Sequence, residues 1–443
     1  MKYHLIGAGG AGMSVVGQLL LEAGHEVSGS DRGESANVER LRKAGGKIAI
    51  GHDAANVPPG AVVVVSTAIK ADNPEFAVAK ERGQEIIHRS QALAIAAAGK
   101  DFIAVAGAHG KTTTSGMLAV AFDALGRDPS RAIGGQLAGG MSGGHMGEGS
   151  MFIAEADESD GSFLNYSPRV ALVTNIEPDH LDHFGSEEAF HEAFAQFARR
   201  IEFGGLLICC ADSPGAFDLA KRARAAGMRT WTYGRGEGLE HHAKITDVDG
   251  GAALQFRGKP IKLRLAVPGA HNVLNATGAL LVGIELGEDA QDMADALTNF
   301  RGTGRRFERR GEKAGRTVVD DYAHHPTEVR ATLETAREVT AGGVRVLFQP
   351  HLYSRTENFA KEFADALALA DSVVVTNVFP AREVPEDGRE SDAITELLPK
   401  AELVADRHDA ARRIAELSKP GDLVITMGAG DITEMADVVL GAL

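Results

Sequence analysis

The 443-residue chain has only two cysteines, Cys209 and Cys210, adjacent within an apolar run. Neighbouring cysteines rarely bridge and do not form a spaced ligand set, so a disulfide scaffold and a thiolate zinc site are excluded. Buried thiols in a reducing compartment are the expectation. No uninterrupted apolar stretch approaches the roughly eighteen residues of a membrane span. Lys2-Tyr3-His4-Leu5-Ile6 begins an apparent strand at once, leaving no room for a signal peptide. Basic residues are in deficit: 46 Lys and Arg face 61 Asp and Glu, a formal net charge of −15. That balance argues against nucleic acid or an anionic membrane as the main partner, while permitting a local cationic pocket for one phosphorylated ligand. The 53 glycines carry no Gly-X-Y period, which excludes collagen. A cytoplasmic α/β protein is expected.

The length predicts about three domains. Short β-branched runs alternate with amphipathic helical stretches, the pattern of parallel sheets covered by helices. Predicted strands near the N-terminus include 3–6, 25–28, 47–50, 61–66 and 85–87. A second unit opens at 102–106, carries three later runs, 245–248, 253–256 and 261–266, that read as antiparallel strands, and ends with a helical pattern over 272–285. A third has strands near 316–319, 344–348, 372–376 and 422–426. The expected boundaries are 1–98, 99–304 and 305–443, with 300–304 as a linker. No solenoid repeat or low-complexity tract is present.

The sharpest motif is Gly107-Ala108-His109-Gly110-Lys111-Thr112-Thr113-Thr114, between an apolar strand and a helix. Glycines let backbone N–H groups converge on phosphate oxygens, and the helix N-terminus adds positive potential. Lys111 can reach β- and γ-phosphates, and a Thr hydroxyl can ligate Mg²⁺. The next strand ends in acids from Glu155 to Asp160. Glu155, the earliest, is the candidate for holding Mg²⁺. A third strand runs out through Thr174-Asn175 to His180, placing a histidine at the same presumed crevice as a substrate or metal contact.

At the N-terminus, Gly7-Ala8-Gly9-Gly10-Ala11-Gly12 separates a strand from a helix, and Asp31 ends the second strand. This is the dinucleotide fingerprint with its ribose acid. It says that a diphosphate sits on a helix N-terminus, and a UDP-sugar satisfies it as well as NAD does. Asn272 and Asn275 lie one turn apart near a helix start, as a cap or as ligand contacts. Arg305 and Arg306 sit at the predicted hinge, suited to reaching over a transferring phosphoryl group. Asp320-Asp321-Tyr322-Ala323-His324-His325-Pro326 crowds a strand end with more polar groups than capping requires.

In this order, the segments 107–114, 155–163, 174–180, 271–275, 304–308 and 320–326 resemble the Mur ligase family of ATP-dependent amide-bond-forming enzymes. The resemblance runs over essentially the whole chain and includes 348–351 and 427–431. It implies three domains: an N-terminal Rossmann-like one for a UDP-substrate, a central P-loop ATPase and a C-terminal Rossmann-like one for an amino acid. The implied substrates are ATP, UDP-N-acetylmuramate and L-alanine, with Mg²⁺ as cofactor. By the same resemblance, Gly107 to Thr113, His271, Asn272, Asn275, Arg306, Asp321 and Tyr322 contact ATP. Thr112, Glu155 and His180 ligate metal, and Lys111, His180 and Arg306 serve catalysis. Gly9, Gly10, Ala11, Gly12, Met13 and Ser14 form the diphosphate cradle, and Asp31, Ser66 and Thr67 lie where uridine should sit. His324 and Arg355 are assigned to the amino acid.

The chain departs from many relatives at Leu352, where they carry a basic residue, and at Ala108, often a Thr. The resemblance also implies a C-terminal domain that closes on ligands, and is compatible with a monomer or a dimer. Three other readings remain open. A ligase recycling a whole tripeptide onto the same UDP-sugar shares most motifs. An NAD-dependent oxidoreductase accounts for the N-terminal fingerprint but leaves the Gly107–Thr114 loop without a purpose. A non-catalytic nucleotide switch has no need of the paired arginines.

Overall fold

The computed structural model describes residues 1–443 except 136, 139, 180–183, 237–240, 249–250, 382 and 384–391. It divides into two compact units: Met1–Ala266 with Val273–Arg301, and Val267–Asn272 with Gly302–Leu443. The architecture is α/β throughout.

The first unit holds two sheets. One is wholly parallel, with strands β1 (Lys2–Ile6), β2 (Glu26–Asp31), β3 (Lys47–Ile50), β4 (Val62–Val65) and β5 (Ile86–His88) in the order β3-β2-β1-β4-β5. Its helices are α1 (Ala11–Glu22), α2 (Ala36–Lys43), α3 (Pro74–Glu81) and α4 (Arg89–Ala96). Their starts are written locally. Ser35 accepts the Val38 N–H ahead of α2, Asn73 and Pro74 open α3, and His88 with Gln91 forms a capping box on α4. Strand order reverses between β1 and β4, which opens a crevice at the carboxyl edge of the sheet.

A polar network pins α3 to that edge. Glu75 is fully buried and accepts hydrogen bonds from Ser30 (2.5 Å), Asn56 (2.8 Å) and the Asp53 backbone N–H (3.2 Å), with His4 Nε2 at 3.3 Å. Burial alone would raise its pKa, but His4, Ser30 and Asn56 overcome that and hold it down at about 2. A depressed carboxyl stabilises the fold above its ordinary pKa of 4.5, and that stability is lost as pH falls from there through 2. Glu75→Ala is therefore expected to cost about 3 kcal/mol at neutral pH. Urea unfolding against pH checks this: the variant's stability should fall less steeply than the parent's between pH 4.5 and 2.

The second sheet of this unit places β6 (Asp101–Ala106) between β9 (Met151–Glu155) and β10 (Val170–Val173), all parallel. It extends on one side through β11 (Leu206–Cys210) and β12 (Thr230–Gly234) to an antiparallel meander of β13 (Ala243–Val248), β14 (Gly251–Phe256) and β15 (Lys259–Leu263). On the other side lie β7 (Ser130–Ala132) and β8 (Gly144–His145). The antiparallel run was legible, although its last strand starts two residues before the predicted 261 and stops at Leu263. Cys209 and Cys210 are unpaired and buried in β11, where desolvation raises both thiols, Cys210 to about 11. They are inert there.

The second unit has one sheet, ordered β16-β17-β21-β18-β19-β20. Its parallel members are β17 (Arg316–Asp321), β18 (Val344–Phe348), β19 (Ser372–Val375), β20 (Ala401–Leu403) and β21 (Leu423–Met427). The antiparallel edge strand β16 (Glu308–Lys313) was not predicted. Its sequence, Glu-Arg-Arg-Gly-Glu-Lys, has no apolar alternation, because an edge strand with solvated faces needs none.

Candidate active site

Three loops of the first unit meet where the sheet order brings β6, β9 and β10 side by side. The loop after β6 leads into helix α5 (Lys111–Ala124). Two of its glycines are dictated by space. A Cβ on Gly107 (φ +135°) would lie 2.2 Å from Thr174 Oγ1, and one on Gly110 (φ +83°) 2.9 Å from Asn275 Oδ1. Thr174 and Asn175, at the end of β10, clamp the loop. The Thr174 hydroxyl donates to His109 O at 2.6 Å, and Asn175 bonds both the N–H and the carbonyl of His109 at 2.9 Å. Asn275 thus packs against the loop. Asn272 instead donates to Pro268 O at 2.6 Å, closing the start of its own helix, Ala270–Glu285. His271 sits exposed on that first turn.

The loop after β9 serves three destinations. Glu155 accepts the Thr112 hydroxyl at 3.2 Å and the Gly134 N–H at 2.9 Å. Glu158, which is 1 % exposed, meets Lys111 Nζ at 2.8 Å, while the other Lys111 donors go to Gly107 O (2.7 Å) and Ala108 O (3.3 Å). Burial pushes the Glu158 carboxyl up to about 7 against the pull of Lys111. Burial also opposes the charge on Lys111, but Glu158 and Asp157 outweigh it and raise its pKa, so the lysine stays protonated. Asp157 and Asp160 reach in the third direction, to Arg89 at 2.9 and 3.9 Å. Thr113 follows Thr112 in the half-buried first turn of α5.

Arg89 was missed by the sequence reading, as was Glu158 among its acidic neighbours. Arg89 begins α4 beyond the last predicted residue of its strand, and its Nη1 lies 3.1 Å from where a Cβ on Gly12 would be. The guanidinium therefore stands at the N-terminus of α1. There Gly10 is the N-cap with no side-chain cap, and Asp31 accepts the Gly9 N–H at 2.7 Å. Of the residues assigned to the cradle, Met13 and Ser14 are buried, and Ser14 is engaged within the helix, its hydroxyl donating to Ala11 O at 2.9 Å and its N–H to Gly10 O at 2.8 Å. Ser66 is half-buried at the end of β4, and Thr67 donates to Asp160 at 3.3 Å. A cavity of about 260 Å³ opens beside this helix end, between Ser14 and Arg40 on one side and Gly134, Gly135 and Ser142 on the other.

In the second unit the predicted arginine pair divides. Arg305 turns inward to Asp320 (3.2 Å) and the carbonyl of Gly428 (2.6 Å). Arg306 lies over the Tyr322 ring at 5.0 Å and 3.4 Å from Glu328. Asp321 is buried with both oxygens engaged, by the Phe307 and Ala323 N–H groups and the Thr332 hydroxyl. Burial raises its pKa against the pull of Arg306. This geometry makes Asp321 a brace for the 305–307 turn. His324 packs on Tyr322 and on His351, with Glu328 3.1 Å from its Nδ1. Arg355 is buried on the short helix Tyr353–Asn358. Leu352 caps that helix at φ +67° and is also buried. His180, expected as a metal or substrate contact, lies outside the described residues.

The arrangement offers two helix N-termini for phosphates, an oxygen pair for a hard cation and a separate sheet edge crowded with polar groups. Sequence profiles place it. Residues 2–101 match the Mur ligase family, catalytic domain; 105–283 the Mur ligase middle domain; and 305–430 the Mur ligase, glutamate ligase domain. The UDP-N-acetylmuramate–L-alanine ligase of Kineococcus radiotolerans is 50% identical over 100% of this chain and 96% of its own. The enzyme of that name from Renibacterium salmoninarum is 49% identical over the same shares. Among solved structures, UDP-N-acetylmuramate–alanine ligase from Thermotoga maritima superimposes with a TM-score of 0.78 at 29% identity, covering 100% of this chain and 98% of that one. A murein peptide ligase from Psychrobacter arcticus gives 0.73 at 25% identity, again covering 100% and 98%. With profiles matched along nearly its full length and relatives at half identity, the chain belongs to the Mur ligase family.

Proposed function

We propose that the chain is an ATP-dependent ligase that joins L-alanine to the carboxylate of UDP-N-acetylmuramate, a step in making peptidoglycan precursors. The observation that carries the reading is the β9 loop, whose acids reach the P-loop on one side and the diphosphate cradle on the other. That architecture suits a reaction between two nucleotides, and full-length relatives bear the corresponding name.

A carboxylate is a poor electrophile towards an amine. Here the substrate carboxylate attacks the γ-phosphorus of ATP, forming an acyl phosphate and expelling ADP. The uncharged amine of alanine then attacks the acyl carbon, the tetrahedral intermediate collapses, phosphate leaves and the amide loses its surplus proton. Lys111 and the α5 N-terminus offset charge on the transferring phosphoryl group, and Arg306 is assigned to phosphate by the family resemblance. Thr112 and Glu155, two hard oxygen donors 3.2 Å apart, fit Mg²⁺; His180 is the candidate for a second ion. When bound, the metal would supply electrostatic stabilisation of the phosphate oxygens. Gly9 to Ser14, Asp31, Ser66 and Thr67 hold the UDP portion. His324 and Arg355 are assigned to the amino acid, with His271, Asn272, Asn275, Asp321 and Tyr322 around the nucleotide. The functional borders proposed are 1–98, 99–304 and 305–443. Both nucleotides and the buried thiols fit the cytoplasm.

The test is phosphate release from ATP and Mg²⁺ with UDP-N-acetylmuramate and, in turn, L-alanine, glycine, L-serine or a tripeptide. Release that depends on L-alanine is expected. Release without any amine would sink the ligase reading, and preference for the tripeptide would select the recycling ligase.

A further inference from the structure

Lys111 already spends its donors inside the protein. An ammonium has three N–H groups, and these go to Gly107 O at 2.7 Å, Ala108 O at 3.3 Å and the Glu158 carboxylate at 2.8 Å. The two carbonyls belong to the loop itself, and Glu158 is the one charged partner among the three. It is held in place by a tight turn after β9, closed by the Gly161 N–H on Glu158 O at 2.9 Å with Gly161 at φ +69°. The carboxylate is almost fully removed from water, so its attraction for Lys111 is weakly screened. Asp157 and Glu155 add to the negative field on the lysine. Nucleotide phosphates that recruit Lys111 must therefore draw it away from a buried anion.

We propose that Glu158 is a positioning residue that competes with the β- and γ-phosphates of the nucleotide for Lys111, setting how tightly ATP and ADP are held. A lysine facing phosphates alone would hold product ADP as firmly as its charge allows. A buried carboxylate within reach gives it an alternative partner and speeds its release. The same contact keeps the side chain along the loop rather than extended into solvent. This inference rests on the reading that nucleotide phosphates sit at the Gly107–Thr114 loop.

The experiment is isothermal titration of the full chain at pH 8.5, above the Glu158 pKa of about 7, with ADP and with AMP, each with Mg²⁺, in parent and Glu158→Gln protein. The amide keeps the shape of the side chain and removes its charge. ADP should bind roughly ten-fold more tightly to the variant. AMP has no β-phosphate for Lys111 to reach and should bind equally to both. ADP affinity that is unchanged or weaker in E158Q would overturn the proposal, and so would a parallel change for AMP, which a merely structural role produces. Failure of the parent to bind ADP at all would instead remove the underlying nucleotide assignment.

Thermal unfolding gives a second readout that needs no ligand. Lys111→Met strands a buried carboxylate and should lower Tm, and adding Glu158→Gln to it should restore part of the loss. A double variant no more stable than Lys111→Met would show that the two groups are not coupled, and the proposal fails.

Discussion

Lys111→Ala is expected to lower ligase turnover by about 10³-fold or more, the scale for removing a cation that stabilises a transferring phosphoryl group. The reason lies in what the loop retains. Its backbone amides and the α5 N-terminus remain, so ATP still has a seat, but no formal positive charge of the first unit is left in the loop at the γ-phosphate. UDP-substrate affinity should change little, because the cradle proposed for it lies at the α1 N-terminus beside Gly12 and Arg89 rather than at the P-loop. The variant also leaves Glu158 buried without its partner, so activity is compared in the Lys111→Ala/Glu158→Gln background, where that penalty is absent. Phosphate release measures turnover, and titration with UDP-N-acetylmuramate measures the other site. Near-normal turnover in either background would remove the P-loop assignment.

The P-loop was legible because all its parts are contiguous: a β-branched run, two glycines, Lys111 and a helix. Its glycines proved necessary through contacts no window of sequence displays, against Thr174 and Asn275. The pairing of Thr112 with Glu155 was legible only as a rule that an acid should end a neighbouring strand, and β9 does lie beside β6. Which acid of the 155–160 run does what was not legible. Four carboxylates within six residues look alike until the turn at Gly161 sends Glu158 to Lys111 and Asp157 and Asp160 to Arg89. The arginine pair was read as one device. Its separation follows from backbone geometry: Arg305 and Phe307 both adopt positive φ, and Arg305 turns in to carbonyls after β21, 123 residues away along the chain. Leu352 stood out as a departure from relatives. Its burial and positive φ show that it sets the turn into the Tyr353–Asn358 helix. Edge strands β16 and β20 were missed because partly solvated strands carry little hydrophobic pattern.

Arg89→Ala is expected to raise KM for UDP-N-acetylmuramate by roughly 10–100-fold, the scale of one or two charge-assisted hydrogen bonds, with a smaller effect on KM for ATP. The α1 N-terminus offers partial charge from its unsatisfied amides. Arg89 is the full positive charge standing over Gly12, and the net charge of −15 gives a dianionic diphosphate no help from the overall field. Its orientation is fixed by Asp157 and Asp160, which hold one edge of the guanidinium and leave the other towards the cradle. Arg89→Lys should therefore recover little. A single ammonium cannot bond Asp157 with one nitrogen and stand over Gly12 with another, as a planar fork does. Steady-state kinetics with each substrate varied in turn decides the matter. Equal rises in both KM values would point to disruption of the loop between β9 and the P-loop. An unchanged KM for the UDP-substrate would confine the cradle to the backbone of α1. The selective rise expected here would make Arg89 the cation through which the first sheet reads the diphosphate, tied by Asp157 to the loop that also carries Glu155 and Glu158.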